Sequence, residues 1–212
     1  MSAIKNIIFD LGGVLLNIDY NRTQQAFEAI GIEKFEAIYS QAAQSKLFDR
    51  YETGQMQEDD FLGQLLSYVP GHIRQQHVKD AWNNMLLDFP QERMHLLMEL
   101  KKGYRTFLLS NTNETHISAF EKIIEKQLGI KTLDPLFEKV YFSSRIKKRK
   151  PDAEIFEYVL KENGLKKEET VFFDDSVQHI KGAESIGLKS ILVQSPKTIL
   201  DFFDSSYKLN LQ

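Results

Sequence analysis

The chain contains no cysteine. That excludes disulfide staples and thiolate chemistry, and it permits a reducing compartment. No apolar stretch approaches the ~20 residues that a bilayer-spanning helix needs. Near the N-terminus one lysine and the short run Ile7–Phe9 meet Asp10, too early an interruption for the apolar part of a signal peptide. The expectation is a soluble, cytoplasmic protein. An excess of charge of one sign is also missing: 27 Lys and Arg stand against 30 Asp and Glu, a formal net charge of −3. Nothing in that balance suggests a surface for nucleic acid or anionic membrane. There is no internal repeat, low-complexity tract or long linker.

What remains is the composition of a globular protein. Of the 212 residues, 42% are hydrophobic, which suffices for a sizeable core. The length suits one domain, or one core carrying a smaller insertion. Five short apolar runs read as buried strands: Ile7–Phe9, Thr106–Leu109, Val140–Phe142, Val171–Phe173 and Ser190–Val193. Four of them are separated by segments of helical length and period, the signature of a parallel α/β sheet. In DAEIFEYVLKENG, for example, Ile155, Phe156, Val159 and Leu160 share a face, and Gly164 sits where a C-terminal cap belongs. Between the first two runs the pattern is helical throughout. YNRTQQAFEAIG ends in glycine, EDDFLGQLLSYV starts with acids, and HIRQQHVKDAWNNML sets Ile73, Val78, Trp82 and Met85 near one stripe. The expected fold is therefore an α/β, Rossmann-like parallel-sheet core, residues 1–17 and 89–212, interrupted by a small helical bundle, residues 18–88.

In parallel α/β sheets ligands bind beyond the carboxyl ends of the strands. Asp10 follows the first strand. Ser110 and Asn111 follow the second. The basic run RIKKRKP, which includes Lys150, comes shortly after the third, and Asp174 and Asp175 follow the fourth. A carboxylate, a hydroxyl, a lysine and an acid pair should converge at one sheet edge. Two adjacent acids repel unless a cation or donors offset them.

FDLGGVLLN, LLSNTN, KKRKPD and FFDDS, in that order and each after a predicted strand, resemble the four motifs of the haloacid dehalogenase-like (HAD) phosphohydrolase superfamily. The resemblance covers nearly the whole chain, and the helical block lies where that family carries its C1 cap. At closer range FDLGGVLLNIDYNR, LLSNTN, RKPDAEIF and VFFDD resemble the bacterial sugar-phosphate phosphatases that act on α-glucose 1-phosphate. The resemblance implies Mg²⁺-dependent hydrolysis of a small phosphorylated metabolite through a phosphoaspartate on Asp10. A carboxylate that attacks phosphorus splits one hard step into two, and a hard divalent cation such as Mg²⁺ bridges the two anions. It implies Asp10, the carbonyl of Gly12, Asp174 and Asp175 around the metal. It further implies Lys150 orienting Asp10, with Ser110 and the amide of Asn111 donating to phosphoryl oxygens. Oligomeric state, monomer or weak dimer, is left open.

One residue departs from the common pattern. Most phosphatases of this family carry a second aspartate two residues after the nucleophile, as acid and base for the leaving oxygen and the water. Here that position is Gly12. Asp19, at the entry to the cap, could substitute, or could simply cap a helix near Asn21 and Arg22. An anomeric leaving oxygen would need less help. The alternatives are a protein that binds phosphorylated ligands or a partner with little turnover, and a haloacid dehalogenase, a branch that also lacks the second aspartate. Away from the motifs, His116 and His179 read as helix-surface residues and Lys147, Lys148 and Arg149 as solvated. Trp82 reads as cap core or as a cap surface facing substrate.

Overall fold

The computed structural model of the protein describes residues 3–32, 35 and 46–210. Any cap patterning within residues 33–34 and 36–45 lies outside that range. Five parallel strands form one sheet in the order β3-β2-β1-β4-β5. They are β1 Asn6–Phe9, β2 Arg105–Ser110, β3 Lys139–Phe142, β4 Thr170–Asp174 and β5 Lys189–Leu192. All five predicted runs became strands, displaced by about a residue at their ends.

Alternate residues of each strand feed opposite faces of the sheet. Ile7, Phe9, Leu108, Val171 and Phe173 join one buried cluster with helices α5 (Gln91–Leu100) and α6 (Glu114–Leu128). Ile8, Phe107, Leu109 and Phe172 join the other with α8 (Ala153–Glu162) and α9 (Val177–Ser185). Burial on both faces explains why these strands read as unbroken apolar runs rather than alternating ones. A short helix, α7 (Ser143–Ile146), follows β3.

The helical block packs a cluster of its own. Helices α1 (Tyr20–Ala29), α2 (Lys46–Glu52), α3 (Glu58–Leu66) and α4 (Gln75–Asn83) bury Phe27, Phe48, Phe61, Val78 and Trp82 against one another. Trp82 is fully buried there, the first of its two expected placements. The chain enters and leaves this block through a short antiparallel crossing. Asp19 N–H donates to the Met85 carbonyl at 2.9 Å, Leu87 N–H to Asn17 at 3.0 Å, and Asn17 N–H to Asp88 at 2.9 Å, with Ile18 bridged to Leu86. No helix among the described residues is long and apolar enough to cross a membrane.

Candidate active site

The strand order reverses around β1, so β2 and β4 flank it on either side. Side chains at the carboxyl ends of β1 and β4 are therefore neighbours, at the crevice where such sheets bind ligands. Asp10 leaves β1 with its N–H held by the Phe173 carbonyl at 2.8 Å. Asp174 ends β4 and Asp175 follows it. One carboxylate oxygen from each of the three lies within 4.8 Å of the others.

Lys150 reaches into this cluster from the loop before α8 and is fully buried. Its Nζ donates to Asp10 Oδ1 at 2.7 Å and to Asp174 Oδ2 at 2.6 Å. Asn111 holds the lysine in place: its Nδ2 donates to the Lys150 carbonyl at 2.8 Å, and its Oδ1 accepts from the Lys150 N–H at 2.9 Å. The Asn111 side chain is thus a clamp on the lysine loop, while Ser110 is buried beside it on the cavity wall. Asp174 also accepts from Ser176 N–H at 2.8 Å and from His179 Nδ1 at 2.9 Å. His179, expected on a helix surface, therefore lies against the carboxylate cluster and on the cavity wall.

The charges do not balance within the cluster. Burial raises the Asp10 carboxyl above its usual range, against the pull of Lys150. Burial also opposes ionisation of Asp174, but Lys150 and His179 outweigh it and hold that carboxyl low. Lys150 is likewise disfavoured by burial, and the two aspartates it touches more than restore its charge. Asp175 is pushed up to about 7, first by burial and then by the negative charge of Asp10 and Asp174. Three clustered carboxylates around one lysine are the donor set that a hard divalent cation fits, because oxygen ligands and spare negative charge are what it needs. The glycine pair belongs to the same geometry. Gly13 has φ +74°, and a β-carbon there would collide with the Asp175 carboxylate. The turn after Asp10 therefore needs glycine at position 13 on both counts.

Above the cluster lies a cavity of about 100 Å³ between sheet edge and helical block. Asp10, Gly12, Ser110, Asn111 and Asp175 form its polar end. Leu16, Ile18, Met85, Leu86 and Phe120 supply apolar wall. Two further residues correct the sequence reading. Arg149 is not a solvated member of the basic run: it lines the cavity and bridges to α2, with Nη1 2.7 Å from Asp49 and Nη2 3.2 Å from Glu52. His116 is not on a helix surface. It is buried and stacked on Trp82 with centroids 4.6 Å apart, and its Nε2 bonds the Trp82 carbonyl at 3.1 Å. Burial lowers its pKa to about 4, against that hydrogen bond, so the ring is neutral. Both residues lie on sheet-bearing segments and meet the helical block, a contact that sequence spacing does not reveal. Asp19 is absent from the cavity wall and caps α1, accepting from Asn21 N–H at 3.0 Å.

Comparison with known proteins places this geometry. A family model described as haloacid dehalogenase-like hydrolase matches residues 4–187. The chain is 29% identical over 187 residues to a D-ribitol-5-phosphate phosphatase of Bacteroides thetaiotaomicron, covering 88% of this chain and 90% of that protein. It is 30% identical over 226 aligned positions to a glyceraldehyde 3-phosphate phosphatase of Methanocaldococcus jannaschii, covering 96% and 90%. Among solved structures, a HAD family enzyme from B. thetaiotaomicron in complex with magnesium and inorganic phosphate superposes with a TM-score of 0.83. The match has 30% identity and covers 95% of this chain and all of the other.

Proposed function

This chain belongs to the haloacid dehalogenase-like hydrolase family, and from that premise we propose that it hydrolyses a small sugar or polyol phosphate through a phosphoaspartate on Asp10. The observation that carries the reading is the buried pairing of Asp10 with Lys150, with Asp10 lining a cavity to which the helical block contributes Tyr20, Glu52 and Met85. The phosphatase names of the curated relatives support turnover over silent binding or dehalogenation. The names of those two relatives lend no support to a narrower specificity for glucose 1-phosphate.

In this reading an Asp10 carboxylate oxygen attacks phosphorus while the bond from phosphorus to the substrate's ester oxygen breaks. Water then attacks the phosphoaspartate, which releases inorganic phosphate and regenerates the carboxylate. Lys150 keeps Asp10 in position and offsets charge that builds on the phosphoryl oxygens. The Ser110 hydroxyl and the backbone N–H of Asn111 donate to those oxygens, in the manner of preorganised donors. Asp10, the Gly12 carbonyl and Asp175 would hold Mg²⁺. Asp174 would reach it through water, because three protein donors already occupy its oxygens. The ion would supply positive charge that lets two anions approach. Residues 18–88 act as a cap that admits substrate and then excludes water.

The test is phosphate release from polyol, sugar and aryl phosphates, with Mg²⁺ and with chelator, by wild type and Asp10→Asn. Metal-dependent turnover by wild type, and none by a folded Asp10→Asn variant, is the expected result. An unimpaired variant would end the proposal.

A further inference from the structure

Apart from the groups around Asp10, the cavity lining is mixed. Leu16, Ile18, Met85, Leu86 and Phe120 supply apolar surface. An acid and a base line it as well, Glu52 at the end of α2 and Arg149 beside Lys150. Glu52 is 5% exposed and pairs with Arg149 Nη2 at 3.2 Å. We propose that Glu52 and Arg149 bind the hydroxyl groups of the substrate's leaving part and so select polyol phosphates over alkyl phosphates. The inference rests on the phosphatase reading and adds the residues that choose its substrate.

The argument is one of cost and use. Taking a carboxylate and a guanidinium out of water is expensive, and their attraction often no more than offsets it. Fixing the cap does not require this pair. Arg149 is also held by Asp49 at 2.7 Å on the more exposed side, and Tyr51 and Glu58 bond Thr115 from the cap as well. A hydroxyl both donates and accepts, so a chain of hydroxyls satisfies carboxylate and guanidinium together, while its carbon face lies on the apolar wall. An alkyl chain would cover the same pair without the hydrogen bonds that hydroxyls would add to it, and a site built to bond hydroxyls discriminates against an analogue that lacks them.

The two histidine rings on the wall have duties already. His116 is neutral, with Nε2 on the Trp82 carbonyl and Nδ1 near Asn113. His179 is bound to Asp174.

The experiment compares a five-carbon polyol phosphate, n-pentyl phosphate and p-nitrophenyl phosphate on wild type, Glu52→Gln, Glu52→Asp and Asp49→Asn. Asp49 pairs with the same arginine but does not line the cavity, so Asp49→Asn reports the loss of a cap tie alone. Wild type should prefer the polyol to the pentyl ester, and Glu52→Gln should shrink that ratio of kcat/KM by about tenfold or more, chiefly through KM. Glu52→Asp, with a shorter reach, should shrink it too, which covers the case of a misfolded Glu52→Gln. Asp49→Asn should leave the ratio as it was. The proposal is overturned if the ratio is unmoved in both Glu52 variants, if Asp49→Asn lowers it equally, or if wild type prefers the pentyl ester. No Mg²⁺-dependent release from any of the three by wild type would instead overturn the phosphatase reading, and this inference with it.

Discussion

Ile18 places its Cδ1 3.0 Å from the point where a β-carbon on Gly12 would stand. A side chain two residues after Asp10 would thus press on an apolar group from the crossing into the helical block. Gly12→Asp should therefore fail to raise turnover, and overpacking should cost about 1–3 kcal/mol of stability. Adding Ile18→Ala should return most of that stability and give the carboxylate room. Urea midpoints and kcat for the single and double variants check this. A single Gly12→Asp variant that is faster and equally stable would contradict it.

Asp19 was one candidate for the missing acid, and its geometry suits a helix cap instead. Asp19→Ala should cost about 1 kcal/mol, the typical value of an N-cap, with kcat little changed. Asp19→Asn, which preserves a capping oxygen, should be close to neutral in both. A kcat that drops in Asp19→Asn while KM holds would restore the acid role.

The Asp175 carboxyl has a folded pKa of about 7 against an ordinary 3.8. A raised folded value means that the folded state binds more protons across this window. The group's contribution is complete below pH 3.8 and is lost as pH rises through 7. Without metal, Asp175→Asn should therefore be more stable than wild type at pH 8 by at least about 1 kcal/mol, or about 2–4 °C in Tm. Mg²⁺ should raise the Tm of wild type and do little for the variant. Thermal melts in chelator and in Mg²⁺ decide it; equal stabilisation of both proteins would remove Asp175 from the metal site.

His116 gives the opposite sign. Its folded pKa, about 4, lies below the ordinary 6.5. Its contribution is present above pH 6.5 and is lost as pH falls toward 4. The difference corresponds to about 3 kcal/mol. His116→Gln keeps a donor for the Trp82 carbonyl and does not titrate. Wild type should lose about that much more stability than the variant between pH 7 and pH 4, measured by urea unfolding across the range. Parallel curves for the two proteins would show that the ring protonates without cost.

The three central strands were legible because they are buried on both faces and so stand out as apolar runs; the edge strands β3 and β5 are only partly buried. Asp10, Lys150, Asp174 and Asp175 were legible because the α/β layout collects whatever follows each strand at one edge. The cavity wall was not. Arg149 sits in a basic run beside two lysines, and only its approach to Asp49 and Glu52, far off in sequence, sets it apart. Glu52 ends a short helix like any surface acid. His116 lies three residues beyond the N-cap Asn113, a common place for a polar residue, and becomes a buried ring only because Trp82 of the cap lies against it. These positions depend on contacts across the seam between cap and core, which no local period encodes.

The crossing at Asn17, Ile18 and Asp19 with Met85, Leu86 and Leu87 makes departure and return adjacent backbone segments. To the sheet, the helical block is an excursion whose two ends meet. Because closure entropy grows only slowly with loop length, such an excursion can lengthen, shorten or be exchanged at little expense to the core. Recombination at this two-stranded junction would replace Glu52 and Met85 in one event and leave Asp10 and Lys150 untouched. A lineage built this way can change what it recognises without re-evolving what it does.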